Sequence, residues 1–298
     1  MKIIINGLGR IGKLVFRRLC DENLHKNILM VNEKAGSASD QEYFLRYDTV
    51  HGTWGDDLCF KNGCLNYKDH SIDVMTEGSI ENISFPKSEK FLVVDCTGVN
   101  KSEKLLEPYF KKKASYVLIS APIESSGVQN IVYGINHQSI DTSAYKIFTA
   151  ASCTTNCLAP IVKVLEENIG IEHGSITTIH NITNSQTIVD APKNNLRRSR
   201  SGINSLIPTT TGSARAISLI YPELKGRLNG HAVRVPLLNA SLTDCVFEMK
   251  QTVEVDKINQ LFNEASNTYL KDILSYEEKP LVSSDYVNNP HSAIIDSL

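Results

Sequence analysis

The chain has 298 residues, 41% hydrophobic and 21% charged, with a formal net charge of −2; this suits two packed domains and gives no support for a nucleic-acid or membrane-surface partner. No stretch approaches the roughly 18 apolar residues of a membrane span, and the first residues enter a strand rather than a signal peptide. Seven cysteines without a secretory signal or a Cys-x-x-Cys pair fit reduced cytoplasmic thiols, and no metal site is expected.

Lys2-Ile3-Ile4-Ile5-Asn6 is a short apolar run, the pattern of a strand covered on both faces. It passes into Gly7-Leu8-Gly9-Arg10-Ile11-Gly12, then a helical stretch with Ile11, Leu14, Val15 and Leu19 on one stripe. Strand, G-x-G-x-x-G and helix together let backbone approach a pyrophosphate at a helix N-terminus, whereas the glycines alone would mark only a tight turn. The next strand, Ile28-Leu29-Met30-Val31-Asn32, is followed by Glu33, an acidic residue where the dinucleotide fingerprint needs one for the ribose hydroxyls. The same carboxylate would repel the 2′-phosphate of NADP, although Lys34 beside it weakens that argument, so NAD is preferred. Glu33 could otherwise be an ordinary loop carboxylate. Between Asp40 and Pro86, clusters of Asn, Gly and Asp suggest hairpins and loops. Strands are predicted at Phe91–Cys96 and Tyr116–Ser120, and ligands of open parallel sheets bind beyond such carboxyl ends. Thr97, Gly98 and Ser120 are therefore placed in the cofactor groove, with plain turn chemistry as the alternative. The first domain reads as a Rossmann-type unit over residues 1–150, followed by a catalytic domain over 151–298.

Ser152-Cys153-Thr154-Thr155-Asn156 puts a thiol at the predicted first turn of a helix, where Leu158, Ile161, Val162, Leu165 and Ile169 recur at helical spacing. Unpaired backbone N–H groups there favour thiolate over thiol. Pro160 fits badly inside that helix and predicts a kink or a loose first turn. Strands at Ser175–His180, Ala232–Val235 and Leu242–Glu248 predict a mainly antiparallel second sheet, for a fold class of α/β plus α+β. His180 ends its strand; a lone histidine there is commonly a packing residue, but beside an activated cysteine it is the natural base. Leu196-Arg197-Arg198-Ser199-Arg200 lies in a long polar loop from Thr183 to Asn204, solvated or in contact with another subunit. Pro208-Thr209-Thr210-Thr211-Gly212-Ser213 offers hydroxyls and a glycine ahead of a helix, suited to an oxyanion. Arg234, between Val233 and Val235 on an apolar strand, needs a partner, and an anionic one is expected.

Read together, these residues resemble glyceraldehyde-3-phosphate dehydrogenase along nearly the whole chain. The resemblance is carried by Ile5 through Gly12, Tyr47-Asp48-Thr49-Val50-His51-Gly52, Ser120-Ala121-Pro122, Ala151 through Pro160, Pro208 through Gly212, and the run from Pro222 to Pro236. It implies that Cys153 attacks the aldehyde of glyceraldehyde 3-phosphate and that His180 takes the hydroxyl proton as NAD is reduced. Inorganic phosphate then releases 1,3-bisphosphoglycerate from the thioester. It also implies a substrate-phosphate site of Thr183, Arg234 and Arg198. An inorganic-phosphate site follows at Ser152, Thr154, Thr211, Gly212 and again Arg198, with Ser185 where the family has Thr or Asp. Cofactor contacts carry over to Gly7, Gly9, Arg10, Ile11 and Gly12. A cytoplasmic homotetramer is implied, with the loop from Thr183 to Asn204 between subunits.

Two departures stand out. Glu33 replaces the family's usual aspartate, and the family continues for a few dozen residues past Leu298, with a final strand, an asparagine for the nicotinamide carboxamide and a helix. That difference predicts a truncated chain of lower stability and activity. The stretch from Asn181 to Asp190 with Glu33 is somewhat similar to an arsenate-resistance-associated branch, in which arsenate replaces phosphate as acceptor. Erythrose 4-phosphate is a further candidate substrate, since one extra hydroxymethylene is a small difference to discriminate. A non-catalytic nucleotide-binding role is the alternative from another class, against which the Cys153, His180 and Arg234 set argues.

Overall fold

The computed structural model describes residues 1–86 and 90–298. They divide into two compact units, one of Met1–Ile131 with Ser139–Ala151 and one of Val132–Gln138 with Ser152–Leu298.

The first unit runs β1 (Lys2–Asn6), α1 (Arg10–Asp21), β2 (Ile28–Asn32), α2 (Ala38–Arg46), β3 (Leu58–Lys61), β4 (Cys64–Tyr67) and β5 (His70–Met75). It continues with β6 (Phe91–Asp95), α3 (Glu103–Lys111), β7 (Tyr116–Ile119), β8 (Val128–Asn130) and β9 (Ile147–Thr149). These strands form one sheet in the order β3-β4-β5-β2-β1-β6-β7-β9-β8. From β5 to β8 every pairing is parallel, and only the β3-β4-β5 meander is antiparallel. Successive strand residues point to opposite faces, so Ile4 joins a core with Phe91, Val93 and Tyr109 while Ile5 joins one with Phe16, Val31 and Leu45. Both faces are covered, which explains the unbroken apolar run. β1 has β2 on one side and β6 on the other, so the strand order reverses there, the place where a ligand crevice opens in such sheets.

The region from Asp40 to Pro86 is more regular than its turn-rich composition predicts, because α2 occupies its start. That helix has its own signal: Ser37 Oγ accepts from the Asp40 N–H at 3.2 Å and Asp40 Oδ2 accepts from the Ser37 N–H at 2.7 Å. Such a capping box satisfies two orphan donors at once.

The second unit contains α4 (Cys153–Asn168), β10 (Ile171–Asn181), β11 (Ile207–Thr210), α5 (Ser213–Ile220), β12 (Leu228–Val235), β13 (Leu242–Met249) and α6 (Val255–Asn267). It ends with β14 (Leu274–Glu277) paired in parallel to β15 (Ala293–Asp296). Its main sheet has the order β11-β12-β10-β13. Two of its three pairings are antiparallel, as expected for a mainly antiparallel sheet, while the central pair β10/β12 is parallel and makes the sheet mixed. The segment between β10 and β12 is long enough for the crossover that parallel pairing demands. α4 buries Leu158, Val162 and Leu165 and runs through Pro160 to Asn168 as one helix. Its first turn is not loose: the Asn156 N–H donates to the Ser152 carbonyl at 2.9 Å and the Thr155 N–H to Ser152 Oγ at 3.2 Å. Pro160 instead falls in the buried interior, where burial offsets its missing donor.

Gly12 gives the fold its tightest tolerance. A Cβ there would lie 1.8 Å from the Gly7 carbonyl oxygen, far inside any contact distance, and the obstacle is backbone. Gly12→Ala is expected to destabilise the chain by about 3 kcal/mol or more, at the upper end of overpacking effects, read as a lowered urea midpoint at unchanged m-value.

Candidate active site

Ala151 adopts φ +54, is buried, and donates its N–H to Thr149 Oγ1 at 3.1 Å. Left-handed backbone is unusual for a residue with a Cβ, and here it precedes the turn into α4. Ser152 is the N-cap of α4 and Cys153 its first residue. Its hydroxyl lies 2.7 Å from Thr155 Oγ1 and 3.3 Å from Thr154 Oγ1. Cys153 is exposed and lies at the positive end of the helix. Cys157, one turn on, is pushed up from the ordinary thiol range by burial.

His180, near the end of β10, is buried and puts Nε2 at 3.5 Å from Cys153 Sγ. Its Nδ1 lies 2.8 Å from the Asn181 carbonyl oxygen and 2.8 Å from Arg234 Nη1. An imidazole nitrogen either donates or accepts, so these two contacts select opposite tautomers. With Nδ1 accepting from Arg234, Nε2 carries the proton towards sulfur; with Nδ1 donating to Asn181, Nε2 presents a lone pair. Burial, then the Arg234 cation, holds His180 below the ordinary histidine range.

Arg234 pairs in register with His180 across β10/β12, and Nη1 also donates to the Asn181 carbonyl oxygen at 2.7 Å. Among the described residues Arg234 has no carboxylate partner: its acceptors are neutral and its Nε is buried without a partner. Burial and the neighbouring Arg198 cation both push its guanidinium down from the ordinary value. Arg198 donates Nη2 to Thr209 Oγ1 on β11 at 3.0 Å. Two adjacent guanidiniums with no carboxylate within ion-pair distance among the described residues form a cationic site suited to an anionic ligand. Thr183, just past β10, is exposed and has its hydroxyl 2.9 Å from Ser185 Oγ. Thr211 pairs its hydroxyl with Ser213 Oγ at 3.1 Å, ahead of Gly212, which caps α5 with no side-chain bond. Cys153, His180, Arg234 and Arg198 are thus linked in the second unit, with Ser152 and Thr154 around the cysteine. Thr183 follows the end of β10 that pairs with Val235, whereas Thr211 and Gly212 follow the far end of the antiparallel β11, beside Gly230.

The remaining predicted residues lie in the first unit. Gly7 has φ +90, and a Cβ on it would meet Thr97 N at 2.8 Å, whereas one on Gly9 would project into open space. α1 starts at Arg10 with Gly9 as N-cap and no side-chain cap bond, so the Ile11 and Gly12 amides share a bare helix end. That cradle fits a dinucleotide pyrophosphate. Glu33 accepts from the Leu8 N–H at 2.8 Å and the Ala35 N–H at 2.9 Å, one on each oxygen, which leaves lone pairs for hydroxyl donors. The Arg10 side chain is turned to Asp48, which Lys13 also meets at 2.9 Å. Burial would raise the Asp48 carboxyl, but these cations and the Val50 and His51 N–H groups hold it well below the carboxylate range. Ser120 donates its N–H to the Asp95 carbonyl at 3.0 Å, and Gly98 has φ +72.

Beneath them lies a polar hub that sequence reading missed. Asp95 accepts from Thr97 Oγ1 at 2.6 Å, Asn100 Nδ2 at 2.7 Å and the Tyr109 hydroxyl at 2.8 Å. Tyr109 in turn meets Asn6 Nδ2 at 2.5 Å, and Asn6 accepts from Asn32 at 2.7 Å. The carboxyl ends of β1, β2 and β6 are tied together, and with them the loop holding Thr97. Among the described residues, no group of three His, Cys, Asp or Glu side chains is placed to hold a metal.

A sequence model described as glyceraldehyde 3-phosphate dehydrogenase, NAD binding domain, matches residues 1–103, and its counterpart for the C-terminal domain matches residues 152–298. A Nostoc protein named glyceraldehyde-3-phosphate dehydrogenase 3 is 46% identical, with 100% of this chain and 88% of the relative covered. Glyceraldehyde-3-phosphate dehydrogenase 2 of Bacillus subtilis is 38% identical over 100% of this chain and 87% of its own length. The Geobacillus stearothermophilus glyceraldehyde-3-phosphate dehydrogenase is 40% identical, with 100% and 88% covered.

Proposed function

The chain belongs to the glyceraldehyde 3-phosphate dehydrogenase family, and from that premise we infer how its own residues carry the reaction. The activity is the NAD-dependent, phosphorylating oxidation of glyceraldehyde 3-phosphate to 1,3-bisphosphoglycerate. Cys153 is the nucleophile: its thiolate forms a C–S bond to the aldehyde carbon, and the aldehyde oxygen takes a proton to give a thiohemiacetal. His180 Nε2 then accepts that hydroxyl proton as the C–H bond breaks, leaving a thioester. NAD, when bound, is the acceptor of the hydrogen and its electron pair. An oxygen of inorganic phosphate next attacks the thioester carbon, the C–S bond breaks, and the acyl phosphate leaves as the thiolate returns.

The 3.5 Å approach of Cys153 Sγ to His180 Nε2, beside the paired Arg234 and Arg198 cations, carries this reading. Thr183, Arg234 and Arg198 take the substrate phosphate, while Ser152, Thr154, Thr211, Gly212 and Arg198 take inorganic phosphate. A substrate phosphate that draws Arg234 away from Nδ1 leaves that nitrogen to the Asn181 carbonyl, the arrangement in which Nε2 is a base. Gly7, Gly9, Arg10, Ile11 and Gly12 hold the pyrophosphate, and Thr97, Gly98 and Ser120 line the groove. Glu33 takes the ribose hydroxyls, and its charge supports NAD over NADP. A cytoplasmic homotetramer is the assembly consistent with the family. No described helix is long and apolar enough to cross a membrane.

The test is one assay matrix: NAD or NADP, with phosphate or arsenate, on glyceraldehyde 3-phosphate and erythrose 4-phosphate. NADH formation that needs NAD and phosphate and favours the triose is expected. Reduction that ignores the acceptor anion would refute the phosphorolytic step. Arsenate outperforming phosphate would place the chain in the arsenate-linked branch.

A further inference from the structure

Gln186 follows Thr183 by three residues and is 92% buried, with 8% of its surface exposed. Its N–H donates to the Thr183 carbonyl at 2.9 Å, closing a turn. The side chain reaches back across the same turn: Oε1 accepts from the Thr183 N–H at 3.0 Å and from Ser185 Oγ at 3.2 Å. The amide cannot be rotated, since the Thr183 N–H is only a donor and must face oxygen. That choice leaves Nε2 buried without a partner, an arrangement that is unfavourable on its own. The turn therefore keeps one amide donor unsatisfied to hold one hydroxyl residue in place. Gly202 leaves the room for it: a Cβ there would lie 3.0 Å from Gln186 Cβ and 3.3 Å from Ile182 Cγ2.

We propose that Gln186 is a positioning residue for recognition of the phosphorylated end of the substrate, fixing the Thr183 hydroxyl through the turn it closes. The hydroxyl donates to Gln186 Oε1 at 3.3 Å and accepts from the Ser185 N–H at 3.4 Å, which holds it in one place on the turn, where an incoming oxyanion competes with Oε1 for its proton. This rests on Thr183 meeting the substrate phosphate, as inferred above. Gln186 acts through Thr183 and touches none of the reacting atoms.

Gln186→Met keeps length and apolar volume but removes the acceptor. KM for glyceraldehyde 3-phosphate should rise about tenfold, the equivalent of one hydrogen bond to a charged ligand. The effect on kcat/KM for unphosphorylated glyceraldehyde should be several-fold smaller. Gly202→Ala, whose Cβ would press on Gln186 Cβ at 3.0 Å, should give the same split, and it carries the test if the methionine variant does not fold. Equal losses on both aldehydes, or an unchanged KM for the phosphorylated one in both variants, would overturn the positioning role. Wild-type enzyme that fails to prefer the phosphorylated aldehyde overturns the phosphate-site assignment itself, and this is read before any variant is made.

Discussion

Cys153→Ser is expected to lower phosphate-dependent NADH formation by on the order of 10⁴-fold or more, the scale of effect when a nucleophile is removed. The exchange barely alters volume, and the exposed position means no core contact is lost, so the melting temperature should hold. Chemistry is what changes: a hydroxyl offers almost no anion near neutrality, and it would form an ester where a thioester is needed for facile transfer to phosphate. The other two thiols of the second unit are poorly suited to take over. Cys157 is pushed up by its burial, and Cys245 is pushed up to about 12 for the same reason. Steady-state NADH production with aldehyde and phosphate measures the effect, alongside thermal unfolding. Activity that survives the substitution would sink the thioester mechanism.

His180→Gln should cost about 10²- to 10⁴-fold in kcat, the range for a positioned general base, and should also change the shape of the pH profile. In wild type the base must be neutral, so activity is lost as pH falls through the His180 pKa. Burial and Arg234 hold that pKa below the ordinary value, so the acid limb should lie below about 6.5. The glutamine variant should lack that limb. A linked effect on stability has a fixed sign. The unfolded chain protonates this histidine at higher pH than the folded one, so it binds more protons in that interval, and stability falls as pH drops below the unfolded value. Urea midpoints between pH 7 and 5 should therefore decline less steeply in His180→Gln. An acid limb unchanged by the substitution would assign that titration to another group.

How far the sequence reaches depends on the range of the forces involved. β1 and β2 match their predicted bounds to the residue, because a strand buried on both faces leaves an unbroken apolar run between polar ends. The start of α4 at Cys153 was visible too, since a spacing of apolar residues is local, but the looseness expected from Pro160 is absent from its capped first turn. α2 was hidden by turn-forming residues around it, although its Ser37–Asp40 box was present in the sequence. The parallel β10/β12 pair could not be read from either strand, whose composition says nothing about the direction of its neighbour. Arg234 shows the same limit at the site. Its need for a partner was legible, but the identity of that partner depended on His180 and Asn181, 54 and 53 residues away. The Asp95 hub joins Asn6 to Tyr109 across 103 residues, and no spacing rule would have found it.

Ala151 bears on how such a site can change. A glycine there would relieve left-handed strain worth about 1 kcal/mol, yet its greater freedom in the unfolded chain would return about 0.4–1 kcal/mol of that gain. The two nearly cancel, so the methyl group is close to neutral for global stability. Its effect is local, narrowing the backbone conformations open to the residue two before Cys153. Precision at the nucleophile and robustness of the fold are thus nearly uncoupled at this position, and selection could tighten or relax the approach to α4 without first finding compensating stability elsewhere.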